Sequence, residues 1–161
     1  FFLMLDDLDY GWRAWLLGIP SYYEPRCIIY HVGSPILKWS SKKFFYMERN
    51  RWICLFTLYS KNTLFKLFPF LLLYDFGVFL FLLSKGMGFA KVKSFFSLLK
   101  LLPRIQKRRK LMQNKRKLQD HDIIRNFVDT IDIPTGLTTN PPDFLPLIIQ
   151  KLNVKARQLV S

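Results

Sequence analysis

Three carboxylates lie within four positions near the start of the chain, at Asp6, Asp7 and Asp9. Like charges this close together repel one another, so the chain carries them at a cost. Two functional explanations are a divalent-cation site and a general base for catalysis. The structural explanation is an acidic first turn that complements the dipole of a helix. The three residues alone leave all of these open.

The segments that follow would position these carboxylates. A helix is predicted over Leu8–Leu17, because its apolar residues recur at helical spacing and form one face. Gly18 ends this helix. A short, buried strand is predicted over Ile19–Tyr30, and His31 follows it. A helix that begins with carboxylates and a strand that ends at a histidine can converge at one edge of an α/β sheet, where sites commonly form. The residues of the apolar helix face are Leu8, Trp12, Trp15 and Leu16.

The order of these motifs resembles a known family. The chain reads Asp6-Asp7-Leu8-Asp9-Tyr10-Gly11-Trp12-Arg13, then Gly18, Pro25 and Tyr30-His31. This pattern is similar to the end of the catalytic domain in inverting glycosyltransferases of family 2, in members related to rhamnosyl- and galactofuranosyl-transferases. The resemblance covers residues 1–60 well and the later segments loosely. It implies an α/β fold in which residues 1–60 form the C-terminal edge of a GT-A domain.

The resemblance also implies roles for individual residues. Asp7 matches the general base, which removes a proton from the acceptor hydroxyl as that hydroxyl attacks the anomeric carbon of the sugar. Asp6 and Asp9 would shape the same site or bind acceptor hydroxyls. Trp12 and Arg13 belong to the same motif and are expected to contact substrate.

His31 matches a histidine that completes a divalent metal site, for Mn²⁺ or Mg²⁺, in some members of the family. The structural alternative is a histidine at the end of a strand that hydrogen-bonds to backbone. The family's nucleotide-binding half precedes the acidic motif. This sequence has no separate Asp-x-Asp motif placed to hold the nucleotide diphosphate, since Asp7-Leu8-Asp9 occupies the position of the base, and it has no glycine-rich phosphate loop. We therefore expect a C-terminal fragment that is inactive alone, with the metal bound mainly by residues upstream of Phe1.

A second segment extends the resemblance. Ser40 or Ser41 can cap a helix that contains an aromatic pair followed by Arg49 and Asn50, and the family has a similar aromatic pair before Arg-Asn. Arg49 and Arg51 could bind a phosphate of the donor or acceptor, since guanidinium groups bind such oxygens bidentately. A solvated helix face with local ion pairs explains both arginines equally well.

The composition points to a membrane. Hydrophobic residues make up 50% of the chain, with 16 phenylalanines, and the formal net charge is +14. Leu67–Leu83 carries a single charge, Asp75, and approaches the minimum of about 17 residues for a bilayer span. Asp75 would lie near the bilayer centre, where a charge costs about 3 kcal/mol. Pro69 and Gly77 are expected to interrupt the helix. The segments on both sides of it are basic, which favours the cytoplasmic side for both ends. These features favour a re-entrant or interfacial hairpin over a span. A buried core helix is the alternative.

The segment from Phe76 to Gln119 contains no acidic residue. Its apolar residues alternate with lysines at helical spacing, as expected of an amphipathic helix in the headgroup layer of an anionic membrane. A nucleic acid is the rival partner, but the basic run lacks interleaved aromatic residues for base stacking, so none is expected. The apolar residues are Phe89, Val92, Phe95, Phe96, Leu98, Leu99, Leu101 and Leu102.

The remaining residues predict a short helix near Ile123, a loop over 134–142 and a final helix over Leu145–Leu159. Three segments result: 1–60, the end of the catalytic domain; 61–118, membrane-associated helices; and 119–161, C-terminal helices and a loop. Cys27 and Cys54 are expected to be free thiols.

The expected function is transfer of a sugar from a nucleotide-diphosphate sugar to a lipid-linked or glycan acceptor, as in the synthesis of cell-envelope polysaccharides. The enzyme would be membrane-associated with its catalytic side in the cytoplasm. The alternative is a basic membrane-binding adaptor without catalytic activity, in which the three aspartates only begin a helix.

Overall fold

The computed structural model describes residues 3–30, 40–127 and 144–160. The described residues form helices joined by irregular segments and contain no strand. The helices are α1 (Asp6–Leu16), α2 (Ser41–Leu58), α3 (Lys61–Ser84), α4 (Gly88–Lys115), α5 (Asp120–Ile124) and α6 (Phe144–Val160).

The predicted α/β fold, as the edge of a GT-A domain, is therefore wrong for this part of the chain. The segment Ile19–Tyr30 is not a strand but irregular and exposed, and Tyr22 and Tyr23 are each 89% exposed. A strand must pair its backbone groups with a neighbouring strand, and the described residues supply none. Pro20 and Pro25 also lack the N–H group that a ladder requires. High β propensity alone did not form a strand, because propensity depends on a partner to pack against.

Several predicted helices are confirmed. The helix α2 begins after Ser40, whose hydroxyl accepts a hydrogen bond from the backbone N–H of Lys43 at 3.3 Å. This is the bond by which an N-cap serine satisfies a free donor of the first turn. The helix α6 covers the predicted range Leu145–Leu159. The helix α1 begins at Asp6, two residues before the predicted start, so its first turn includes the acidic residues.

Three long helices, α2, α3 and α4, form an up-down-up bundle. Glu48 lies beside Lys91, and Gln113 donates to the carbonyl oxygen of Thr57 at 3.1 Å, so α2 and α4 run in parallel. The helix α3 runs antiparallel to both, since a two-residue link joins it to α2 and a short turn joins it to α4. Gly86, with φ of +69°, adopts in that turn the left-handed conformation that glycine tolerates best.

The helix α3 continues through Pro69 and Gly77, so the predicted interruption is wrong. Proline removes one backbone hydrogen bond, but both ends of this helix are anchored by packing. Leu67 lies in the main core, and Leu82 is fully buried against α2 and the turn before α4. Packing of this kind outweighs local propensity in most protein helices.

The main core lies where α1, α5 and α6 pack against the bundle. The backbone N–H of Lys117 donates to the carbonyl oxygen of Leu16 at 2.7 Å, which ties the end of α1 to the end of α4. The core residues are Trp12, Leu16, Cys54, Leu58, Tyr59, Leu67, Met112, Ile123, Ile124 and Val160.

Candidate functional site

The backbone immediately before α1 has an uncommon conformation. Met4 and Leu5 both have positive φ, at 67° and 61°, in the left-handed region that costs a non-glycine residue roughly 1–2 kcal/mol. Asn50 of α2, which is fully buried, holds this turn in place. Its side-chain nitrogen Nδ2 donates to the carbonyl oxygen of Leu3 at 2.6 Å and to that of Met4 at 2.9 Å. We call residues 3–7 the acidic turn.

The acidic turn presents Asp6 and Asp7 to solvent at the first turn of α1. One carboxylate oxygen of Asp7, Oδ1, accepts the backbone N–H of Leu8 at 2.8 Å. Its other oxygen has no hydrogen bond from the described residues and is free to meet a ligand. Their place in the first turn of α1 sets both side chains near the positive end of the helix dipole. An exposed carboxylate fixed through one oxygen has the geometry of a base that accepts a proton through the other.

Asp9, in contrast to Asp6 and Asp7, is buried, with 3% of its surface exposed. Nε of Arg13 donates to it at 2.9 Å, and Nη2 of Arg108 lies 2.5 Å from each of its carboxylate oxygens. The structure thus separates Asp9 from Asp6 and Asp7 and joins it to α4. Two arginines around one buried carboxylate indicate that Asp9 holds α1 on the bundle.

Cys54 lies next to Asp9, with its sulfur 3.9 Å from the carboxylate oxygen Oδ1. Burial, together with the negative charge of Asp9, raises the pKa of the Cys54 thiol to about 12. The thiol therefore stays protonated and unreactive at neutral pH.

The structure places Trp12 in the main core. Its ring packs edge-on against Tyr59, with centroids 4.6 Å apart, and against Phe127 at 5.8 Å. Edge-to-face pairs of this kind stabilise a core beyond the area they bury. The partner of Arg13 is Asp9, as described above, so both residues of the predicted substrate-binding pair take part in the packing of α1.

Arg49 and Arg51, adjacent in sequence on α2, have different surroundings. Nε and Nη2 of Arg49 donate to Oδ1 of Asn50 at 3.1 and 3.0 Å, and its guanidinium lies over the rings of Phe45 and Tyr46. No carboxylate among the described residues forms an ion pair with Arg49 within 4.0 Å. Partial burial lowers the pKa of its guanidinium, because no nearby negative charge offsets the loss of solvent.

Arg51 belongs to a buried charge network, which we define as Glu48, Arg51, Asp75 and Lys91. Nη2 of Arg51 lies 2.9 Å from Glu48 and 2.6 Å from Asp75, and Lys91 contacts the same two carboxylate oxygens. The indole N–H of Trp52 donates to Asp75 at 2.8 Å. The network joins α2, α3 and α4, and its two negative charges balance its two positive charges.

A groove of about 610 Å³ lies between α3 and α4 beside the charge network. Its walls are mostly apolar, and Arg49, Asp75 and Lys91 supply the charged groups. Phe76, Phe95 and Phe96 line it and are all more than half exposed. The groove is therefore open on the apolar side of the helix pair.

The apolar side of α3 and the first half of α4 form what we call the apolar face. Within the described part of the chain, α3 is the one helix long and apolar enough to cross a membrane, and only 11% of its most apolar stretch is buried. Exposed apolar patches much larger than those of soluble monomers mark interaction surfaces. The exposed side chains of this face include Phe65, Phe68, Leu72, Leu73, Phe76, Leu80, Phe81, Leu83, Phe89, Val92, Phe95, Phe96, Leu99 and Leu102.

The predicted metal ligand, His31, lies outside the described residues. Within the described ranges, no group of three or more His, Cys, Asp or Glu side chains could hold a metal ion. The described residues of the predicted site thus comprise an exposed acidic pair, a buried aspartate with its partner Arg13, the core residue Trp12, and two arginines of α2 that differ in their partners.

Sequence reasoning missed the charge network and the link between Asp9 and Arg108. Asp75 could have indicated the charge network, because an ionisable residue in an apolar helix almost always has a partner. Its partners Lys91 and Arg51 could not be chosen from several basic residues without the bundle geometry. Arg108 lies in a dense basic run, and nothing local distinguishes it from its neighbours.

Comparison of the chain with protein families, curated proteins and solved structures found no match.

Proposed function

We propose that this chain is the membrane-binding C-terminal portion of an inverting glycosyltransferase. The enzyme would transfer a sugar from a nucleotide-diphosphate sugar to a lipid-linked or glycan acceptor. The observation that carries the proposal is the contact of Asn50 with the acidic turn. At these hydrogen bonds the second segment that resembles family 2 contacts the turn that leads into the first, more than forty positions earlier in the sequence.

In this proposal Asp7 is the general base. Its free oxygen takes the proton of an acceptor hydroxyl while the hydroxyl oxygen attacks the anomeric carbon, and the bond to the donor diphosphate breaks on the opposite side of the sugar. Asp6 would hydrogen-bond neighbouring acceptor hydroxyls. The strained turn before α1 supports this role, because backbone strain is commonly retained where it fixes a functional group.

In the complete enzyme, residues upstream of Phe1 would bind the nucleotide diphosphate and most of a divalent metal site, for Mn²⁺ or Mg²⁺. The metal would stabilise the negative charge of the leaving diphosphate. His31 remains the candidate ligand from this chain.

The apolar face supports attachment to a membrane. It would lie against the acyl chains while the basic residues beside it, among them Lys61, Lys66, Lys85 and Lys93, bind anionic headgroups. Both flanks of α3 are basic, which favours the cytoplasmic side for the acidic turn. A lipid-linked acceptor held in the same membrane could then reach Asp7.

The test replaces Asp7 with asparagine in the complete enzyme. Asparagine cannot take up the proton, so we expect the transfer rate to fall about 10²–10⁴-fold, with flotation on anionic vesicles unchanged. Glu24→Gln is the matched control, because it removes an exposed carboxylate elsewhere and should leave transfer unaffected. Full transfer by Asp7→Asn would refute the assignment of the base. Failure of the chain to float with anionic vesicles at moderate salt would refute the membrane assignment.

A second candidate is a basic membrane-binding adaptor without catalytic activity. It is favoured by the surroundings of the three aspartates, since Asp9 has a structural explanation in its two arginines and Asp6 and Asp7 complement the helix dipole. Vesicle binding without any sugar transfer by the complete polypeptide would support it.

A further inference from the structure

The groove between α3 and α4 has features that its membrane role alone does not explain. A helix pair that only lies on a bilayer needs an apolar surface, but this one also has a concave site of about 610 Å³ with an arginine in its lining. That volume lies within the range of about 300–1,000 Å³ typical of small-ligand sites. We propose that the groove binds a single-chain lipid phosphate, with the hydrocarbon chain between the two helices and the phosphate on Arg49.

The charges around the groove favour an anion at Arg49. The charge network contributes two carboxylates and two cations in direct contact, so it adds no net charge to the wall. Arg49 is the positive group of the lining that no carboxylate in the described ranges balances. A partly desolvated guanidinium without a counter-charge is a favourable partner for a phosphate, which it binds through short, charge-assisted hydrogen bonds.

Arg49 is also held in position before a ligand arrives. Oδ1 of Asn50 accepts from Nε and Nη2, and the rings of Phe45 and Tyr46 lie 5.4 and 4.9 Å from the guanidinium carbon. The two N–H groups of Nη1 donate to no described residue and can reach an anion. A guanidinium fixed in this way loses little conformational entropy on binding.

The remaining walls suit a hydrocarbon chain. Trp52, Leu72, Phe79 and Leu98 line the groove, and the exposed rings of Phe76 and Phe95 continue it onto the apolar face. A lipid in the bilayer could therefore enter sideways without leaving the acyl region. One groove of this volume fits one chain with a compact headgroup.

This inference rests on the proposed membrane-bound transferase, because it names the class of its lipid-linked acceptor. It also adds a role for Asn50, whose carbonyl oxygen positions Arg49 while its amide nitrogen holds the acidic turn. The lipid phosphate and the base Asp7 would thus be aligned by one buried side chain.

The experiment uses the full chain in nanodiscs of phosphatidylcholine. A hexadecyl phosphate with a diazirine at the end of its chain is added, and the crosslinked residues are mapped by mass spectrometry. The same probe as an uncharged alcohol measures labelling that depends on the hydrocarbon chain alone. We expect the phosphate probe to label the groove at least about tenfold more strongly than the alcohol does, as one lost charge-assisted bond predicts.

Arg49→Gln should reduce labelling by the phosphate probe to the level of the alcohol. Arg104→Gln is the matched control, since Arg104 is an exposed arginine outside the groove, and it should label like the parent chain. Equal labelling by the two probes, or equal losses in Arg49→Gln and Arg104→Gln, would overturn the proposal. Unlabelled hexadecyl phosphate should displace the probe at a lower concentration than diacyl phosphatidic acid does. Displacement by both lipids at the same concentration would overturn the assignment of a single-chain lipid.

A second variant guards against a folding defect in Arg49→Gln. Val92→Trp fills the groove from the exposed side of α4 and should abolish labelling by both probes within it, while helicity by circular dichroism stays unchanged. Persistent labelling of Phe76 and Phe95 in this variant would also count against the site. If Asp7→Asn loses transfer but the phosphate probe shows no preference, the lipid site fails and the transferase stands. If labelling depends on Arg49 but Asp7→Asn transfers sugar normally, the lipid site stands and the assignment of Asp7 as the base fails.

Discussion

Replacing Lys91 with methionine should destabilise the bundle severely, although the substitution keeps the length and apolar stem of the side chain. Lys91 is 8% exposed and contacts both carboxylates of the charge network, and Glu48 is 6% exposed. Without the ammonium group, the buried carboxylate of Glu48 and the partly buried carboxylate of Asp75 share one arginine. Removal of one partner from a buried ionic cluster typically costs about 3–5 kcal/mol, because the remaining charge stays desolvated.

The structure favours the lower end of this range. Arg51 still lies within 2.9 Å of Glu48 and 2.6 Å of Asp75, so each carboxylate keeps one cationic partner. We therefore expect a loss of about 3 kcal/mol in the free energy of unfolding, or about 6–12 °C in Tm for a chain of this size.

The assay is unfolding in detergent micelles, followed by circular dichroism. Lys93→Met is the matched control, since Lys93 lies on the same helix, is exposed and belongs to no ion pair among the described residues. The control should change stability by less than about 0.5 kcal/mol. Adding Glu48→Gln to Lys91→Met restores the balance of charges and should recover at least about half of the loss. Equal Tm values for Lys91→Met and Lys93→Met would refute the view that the network is a buried ionic cluster.

Four further results are expected. A maleimide at pH 8 should modify exposed Cys27 and not Cys54, because the raised pKa keeps the buried thiol of Cys54 protonated. Mass spectrometry counts the adducts, and two adducts on the folded chain would contradict this expectation. Because folding raises that pKa above the ordinary value of about 8.5, the stability contributed by the thiol should fall as the pH rises from about 9 to 12. Asn50→Ala should cost about 1–3 kcal/mol and speed hydrogen exchange in residues 3–9, because the turn loses two hydrogen bonds, and unchanged exchange would argue against this. A double-mutant cycle of Asp9→Asn with Arg108→Gln should give a coupling of about 1.5–3 kcal/mol, and additive losses would mean that the pair does not join α1 to α4.

The sequence allowed prediction of structure where the signal is local. Ser40 caps α2 as expected, and α6 follows the apolar periodicity of the last segment, because caps and helical faces depend on residues close in sequence. The prediction of a strand over Ile19–Tyr30 is wrong because a strand depends on residues far away in the sequence. Its β-branched and aromatic residues match the composition of a strand, but a strand exists only with a partner, which local composition cannot specify.

In the candidate site, too, features that depend on nearby residues could be predicted and features that depend on distant residues could not. The sequence indicated that the aspartates begin a helix, and Asp6, Asp7 and Asp9 all lie in the first turn of α1. The burial of Asp9 could not be predicted, because it depends on Arg108, a residue in another helix. Arg49 contacts neighbours on its own helix, whereas Arg51 reaches Asp75 of α3, a tertiary contact that the local sequence does not specify.

The length of α4 has a geometric consequence for any reaction at the acidic turn. Near one end of this helix Lys91 lies in the wall of the groove, and toward the other end Arg108 binds Asp9 of α1. At about 1.5 Å of rise per residue, these two points lie about 26 Å apart along the axis. One continuous helix therefore links the wall of the groove to the residue that anchors α1. A ligand that displaces Lys91 along the helix axis would also shift Asp9 and the acidic turn beside it.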